Sequence, residues 1–109
     1  MELAVQPIST EIKMADGVFT KSMVVRKEGT LIPQHSHRYS HVSVLVRGSV
    51  RVEADGRFLG AFDAPAGIVI AAGVKHLFET LVDDTIILCV HDIGTAEAVE
   101  IAEEHQIVE

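Results

Sequence analysis

The stretch Gly29-Thr-Leu-Ile-Pro-Gln-His35-Ser-His37-Arg-Tyr-Ser-His41-Val-Ser-Val-Leu-Val-Arg47-Gly48 decides how the rest of this chain is read. His35 and His37 are two apart, so on an extended strand their imidazoles project from the same face and can share one ion. His41 has the same parity but would lie roughly 13 Å beyond His37 if the chain stayed extended. It joins the pair only if Arg38, Tyr39 and Ser40 turn or kink the backbone. From His41 the pattern alternates, with Val42, Val44 and Val46 on one face and His41, Ser43, Leu45 and Arg47 on the other. If His41 points inward, Ser43 and Leu45 follow it, and the valine face needs a second sheet or a partner to cover it. His76, in Ala71-Ala-Gly-Val-Lys-His76, follows a glycine that can turn the chain back into a strand. Two histidines from one strand, one from past a turn and one from a distant strand describe a metal site inside a small barrel.

Strand signals follow one another at short intervals around this stretch. Val18 to Lys27 is β-branched and ends at the Glu28-Gly29 turn. Ser49 to Ala54 follows Arg47-Gly48, and Asp55-Gly56 is a hairpin signal leading into Arg57 to Leu59. Residues 63–67 read as a turn before Ile68 to Ile70. His76 to Leu81 and Thr85 to Ile93 flank the polar turn Val82-Asp83-Asp84. The pattern is all-β, with eight or more short strands, as in a jelly-roll or related barrel. Thr95 can cap a short C-terminal helix over about 95–105, with Glu97 and Glu100 favourably near its start. A chain of 109 residues suits one domain over 1–109, with a barrel core at about 18–93. Aromatics make up 5% of the residues, so Val, Ile, Leu and Ala must supply the core.

The formal charge of −7 is unevenly spread, because no Lys or Arg follows Lys75 while nine acidic residues do. That balance repels nucleic-acid phosphates and anionic membrane surfaces, which argues against both as partners. The start, MELAVQPIST, has no basic or apolar region of a secretory signal, and no apolar run approaches a bilayer span. Cys89 is the single cysteine, which excludes an intramolecular disulfide. It sits within Ile86-Ile-Leu-Cys-Val90 and reads as a small buried hydrophobe rather than a nucleophile. A cytoplasmic protein is expected.

The intervals from Gly29 through His35, His37 and His41 to Gly48 resemble the first motif of the cupins, G-x5-H-x-H-x3-E-x6-G. His41 stands where cupins usually carry Glu. The second motif, G-x5-P-x-G-x2-H-x3-N, is matched in part. Gly73 and His76 fall correctly, while Pro65, Ala71 and Thr80 replace its first Gly, its Pro and its Asn. The resemblance spans roughly residues 18–93, and His41 is similar to the four-histidine variants of the family. It implies a cupin double-stranded β-helix holding one divalent ion on His35, His37, His41 and His76. Cupins commonly hold Mn and Fe, whereas imidazole donors as such suit Zn, Cu, Fe and Ni. Pairing of small cupins through sheet edges implies a homodimer, to which Leu3 to Ile8 can add a strand.

Each remaining candidate has an ordinary reading beside the functional one. His91 shares the parity of Cys89 and can line a cavity or be a plain strand histidine; His105 reads as surface. Tyr39 can donate to bound substrate or simply pack. Arg38, Arg47 and Arg51 can meet an anionic substrate, but read better as surface charges. Phe78 shares the face of His76, as cavity wall or as core. The leading expectation is a small metalloenzyme, dioxygenase-like or a Lewis-acid isomerase, lyase or cyclase, acting on a carbonyl- or carboxylate-bearing molecule. The alternative is a non-catalytic, metal-bearing module that binds or senses a small metabolite, since the fold hosts both kinds.

Overall fold

Two Asp-Gly pairs start the hairpins from which the molecule is assembled. Asp16 and Gly17 have φ of 50° and 79°, and Asp55 and Gly56 have φ of 48° and 81°. Two successive positive φ angles make the turn whose twist matches that of the flanking strands. In this computed structural model, which describes residues 8–34 and 40–92, the first turn joins β1 (Ile8–Ala15) to β2 (Val18–Val25). The second joins β5 (Ser49–Ala54) to β6 (Arg57–Asp63). The other strands are β3 (Leu31–Gln34), β4 (His41–Arg47), β7 (Ala66–Ile70), β8 (His76–Thr80) and β9 (Thr85–Asp92).

The strands form a five-stranded sheet in the order β1-β2-β9-β4-β7 and a four-stranded sheet in the order β3-β8-β5-β6. Every pairing is antiparallel. Outside the two hairpins, each connection carries the chain from one sheet to the other, which is the jelly-roll path. The inner faces meet over Met23, Val25, Ile32, Leu45, Val50, Val52, Ile68, Ile70, Phe78 and Ile87, with Cys89 among them. Phe78 is fully buried there and is a core residue. Among the described residues no helix is long and apolar enough to cross a membrane. The expected helix at about 95–105 lies outside those residues.

β4 follows the predicted alternation as far as Leu45 and β5 spans Ser49–Ala54 as expected, and three differences from the sequence reading have local causes. β1 was not anticipated. It pairs with β2 from Ile8↔Val25 to Ala15↔Val18, so Ile8 belongs to this chain's own sheet, while residues 3–7 lie outside the described set. β6 continues to Asp63, because Ser49, Val50 and Arg51 extend the β5 ladder opposite Asp63, Phe62 and Ala61. Finally, Arg47 does not share the inward face of His41, Ser43 and Leu45. The register shifts between Leu45 and Arg47, which puts Arg47 opposite Ile86 and leaves it exposed. A bulge of this kind adds a residue and reverses the facing of everything beyond it.

Gly48 follows that bulge with φ of 92°. A Cβ there would run into Thr85 Oγ1 and stand 3.0 Å from Thr85 Cα. Thr85 is fully buried, its hydroxyl donating to the Val82 carbonyl at 3.0 Å, so it has no free space to move into. Gly48→Ala is expected to cost about 2 kcal/mol or more through strain and collision. Thermal denaturation should then show Tm lowered by roughly 8 °C or more. An unchanged Tm would mean that Thr85 yields.

Candidate functional site

One end of the barrel gathers strand ends from both sheets. β3 finishes at Gln34 opposite His76, the first residue of β8, and His76 also stands opposite Ala54 at the end of β5. Across the interior, β4 begins at His41, opposite Ile70 at the end of β7. Because β3 and β4 lie in different sheets, the chain changes direction between Gln34 and His41. The turn that the spacing of His37 and His41 requires, at Arg38 to Ser40, falls mostly outside the described residues. His35, His37, Arg38 and Tyr39 themselves lie outside the described residues, as does His105.

His41 and His76 are both buried, at 7% and 4% exposure. His76 Nδ1 lies 3.2 Å from the Val74 carbonyl oxygen. A carbonyl only accepts, so in the neutral ring this contact places the proton on Nδ1 and the lone pair on Nε2. Metal-binding histidines are typically oriented in this way, with the far ring nitrogen donating to backbone. The segments that lead into the two histidines are themselves tied down. Ala72 N donates to Ser40 Oγ at 3.0 Å, linking the residue before His41 to the connection that precedes His76. Lys75 N donates to Asp55 Oδ1 at 3.0 Å, and Asp55 N donates to the Lys75 carbonyl at 2.7 Å. Among the described residues no three His, Cys, Asp or Glu side chains come together. The described part of the four-histidine set is therefore its His41 and His76 half.

Arg47 and Arg51 do not face this interior. Arg51 lies on the outer face of the smaller sheet, its Nη1 3.1 Å from Glu53 Oε1 and its guanidinium 4.8 Å from the centre of the Phe58 ring. It borders a shallow hollow of about 110 Å³ shared with Leu31, Glu53, Leu77 and Glu79, apart from the histidines. Arg47 is exposed beyond the bulge. Both are surface charges. His91 falls on β9 opposite Phe19, and its side chain lies outside those described.

One step deeper in the five-stranded sheet is a polar row. Lys21, Cys89 and Ser43 stand directly opposite one another on β2, β9 and β4. Ser43 is fully buried and Cys89 nearly so, and their Oγ and Sγ atoms are 3.3 Å apart. Sequence parity anticipated Ser43 and Cys89 on the inner face but overlooked Lys21. The signal was present, since Lys21 alternates in phase with Phe19, Met23 and Val25, all of them buried.

Burial pushes the Cys89 thiol above its ordinary value of 9.0, against the smaller opposing pulls of the Ser43 hydrogen bond and the Lys21 charge. The fold thus favours the neutral thiol. Its contribution to stability is complete below 9.0 and is lost as the pH rises above that value, where the unfolded chain ionises first. A disulfide reagent such as DTNB is expected to leave native Cys89 unmodified at neutral pH and to label it promptly once the protein is unfolded. Rapid labelling of the native protein would contradict this burial.

No protein-family model and no curated protein matches the sequence. Solved structures do match. KdgF from a Halomonas species superposes with a TM-score of 0.66 at 16% identity, covering 81% of each chain. An RmlC-like cupin with a double-stranded β-helix from Methanocaldococcus jannaschii gives 0.67 at 13% identity, over 84% of this chain and 85% of the other. A cupin 2 domain-containing protein from Halorhodospira halophila gives 0.65 at 15% identity, over 94% and 83%. At such identities the likeness is one of fold.

Proposed function

We propose that this chain, whose fold is the double-stranded β-helix of the cupins, binds one divalent metal ion through His35, His37, His41 and His76. We read it as a small-molecule metalloprotein of the cytoplasm, and as an enzyme in preference to a pure binding module. The observation that carries this reading is His76, buried at a strand start with Nδ1 engaged by the Val74 carbonyl and Nε2 left as a donor. The donor set fits the group: neutral imidazoles suit Zn, Cu, Fe and Ni, and cupin resemblance adds Mn. When bound, such an ion supplies Lewis acidity toward a carbonyl or carboxylate oxygen.

The chain's own residues provide the surroundings. Ile70 beside His41, Phe78 two residues beyond His76 and Leu45 at the level below Ser43 are buried and give the interior apolar walls. The Ser40–Ala72 and Asp55–Lys75 hydrogen bonds hold the segments that lead into His41 and His76. One observation favours the second reading, a metal-bearing binding or sensor module. Among the described side chains, Glu53 and Glu79 flank Arg51 on the outer face, and the other acidic residues are exposed. No described carboxylate is thus in place to act as an interior general base.

Metal analysis of protein purified without an affinity tag tests the reading. About one equivalent is expected, with His35→Ala, His37→Ala and His76→Ala each weakening affinity by about 100-fold or more. Full occupancy in all three variants would sink the assignment. His41→Ala should remove one nitrogen from the X-ray absorption signature; an unchanged signature would take His41 out of the ligand set. Oxygen uptake with small dicarbonyl compounds separates the oxygenase-like reading from the binding module.

The working unit in this reading is a homodimer closed by the outer face of the larger sheet. Val42, Val46 and Val69 are 40%, 49% and 66% exposed on the adjacent strands β4 and β7, with half-buried Val44 between Val42 and Val46, and half-buried Leu88 and Val90 beside them on β9. A second copy suits this face, because an uncharged, apolar patch is self-complementary and lets two copies of net charge −7 approach. Light scattering at micromolar concentration should give twice the 11.8 kDa chain mass. A monomer mass would refute the dimer, and Val42→Glu with Val69→Glu should produce one.

A further inference from the structure

We infer that Lys21, together with Ser43 and Cys89, forms an anion-binding wall inside the barrel, and that the molecule taken up there is a small carboxylate. The inference deepens the proposal above, resting on its reading that the interior receives a small molecule; it does not depend on which metal is bound. Lys21 lies on the inner face of β2, half-buried between Phe19 and Met23, which are 2% and 3% exposed. Opposite it are Cys89 on β9 and the half-buried Ile12 on β1. Among the described residues no hydrogen bond or ion pair engages its ammonium. Lys13, by contrast, pairs with Glu11, and Arg51 with Glu53, both on outer faces.

The Lys21 stem packs between buried apolar neighbours, and an ammonium at the margin of that space gains from an anionic partner. The described interior offers none. Its polar side chains near this level are His41, His76, Ser43 and Cys89, all of which are neutral or cationic when protonated. Bound metal adds further positive charge to the same space. An anionic ligand balances both. The neighbours are suited to it: burial keeps the Cys89 thiol neutral, so S–H can donate to Ser43 Oγ. That frees the serine O–H to donate to a ligand oxygen beside the Lys21 ammonium.

The spacing selects a short ligand. The polar row is two residues along β4 from His41, roughly 7 Å in a strand. A molecule can therefore present one oxygen-bearing end to the histidines and a carboxylate to Lys21 if only a few carbons separate them.

The test uses malonate as probe and neutral malonamide as its control. Binding is measured by calorimetry on wild type, Lys21→Met and Lys21→Arg, each with and without Co²⁺, and Co²⁺ uptake is followed separately by its visible spectrum. Malonate is expected to bind wild type and malonamide not to. Lys21→Met should weaken malonate about 10-fold or more, the loss of a charge-assisted hydrogen bond. Lys21→Arg should retain most of the affinity, and Co²⁺ uptake should be the same in all three. Malonate binding Lys21→Met as tightly as wild type would overturn the anion wall. So would equal binding of malonamide, or no malonate binding by wild type at roughly 10 mM. Failure of wild type to take up Co²⁺ would count against the metal reading alone, because the metal-free titrations still report on Lys21.

Discussion

The pairing of β9 with β2 on one side and β4 on the other is the constraint on which the rest of the structure depends. It sets Cys89 opposite both Lys21 and Ser43, and Ile87 opposite both Met23 and Leu45. Polar and apolar rows therefore alternate in depth across the inner face of the larger sheet. Because side chains alternate with period two, a slip of one residue would turn Cys89 and Ile87 outward and bring Leu88 and Val90 in. The bulge beside Val46 confines the one interruption of this register to the end of β4, away from His41. Next to the bulge the inner face is the hydrocarbon row of Met23, Ile87 and Leu45, and toward His41 it becomes polar.

Much of this was legible in the sequence, for identifiable reasons. The alternation from His41 to Leu45 exposed a strand with one polar and one apolar face, and the structure keeps both. Asp55-Gly56 announced its hairpin because few other dipeptides accept two positive φ angles in succession. The same signal at Asp16-Gly17 was passed over, and β1 with it. Its flanks, Met14-Ala15 and Val18-Phe19, carry too little polar contrast for alternation to stand out. The bulge that turns Arg47 outward could not be read from the pattern, since a local register shift leaves no mark on alternation until a partner strand is known. Of the candidate ligands, His41 and His76 each begin a strand, β4 and β8, at the same end of the barrel, while the turn that the spacing requires before His41 falls mostly outside the described residues. Lys21 was visible in principle. A lysine among buried hydrophobic residues is easily taken for a break in the pattern, when its phase with Phe19 and Met23 marks it as belonging to the inner face.

Charge is sorted by face throughout the described molecule. Acidic side chains occupy turns and outer surfaces, where Glu53 pairs with Arg51 and Glu11 with Lys13. The inner faces hold imidazoles, the hydroxyls of Ser43, Thr80 and Thr85, a thiol and the lysine Lys21. A protein of net charge −7 thus encloses a space whose own ionisable groups are basic or neutral. The acidic exterior does not attract an anion from a distance. Selectivity for one then resides in short-range contacts within the barrel, and association should be helped rather than hindered by added salt, which screens the exterior.

β1 has a consequence for solubility. It occupies the flank of β2 along its whole length, from Ile8↔Val25 to Ala15↔Val18, and turns the exposed ion pair of Lys13 and Glu11 outward. Without it, Val18–Val25 would be an open, β-branched edge of eight residues, the kind of template on which other strands add. A charged border strand of this sort acts as a gatekeeper. Its removal would expose the chain to sheet-to-sheet aggregation before it disturbed His41, three strands away in the same sheet.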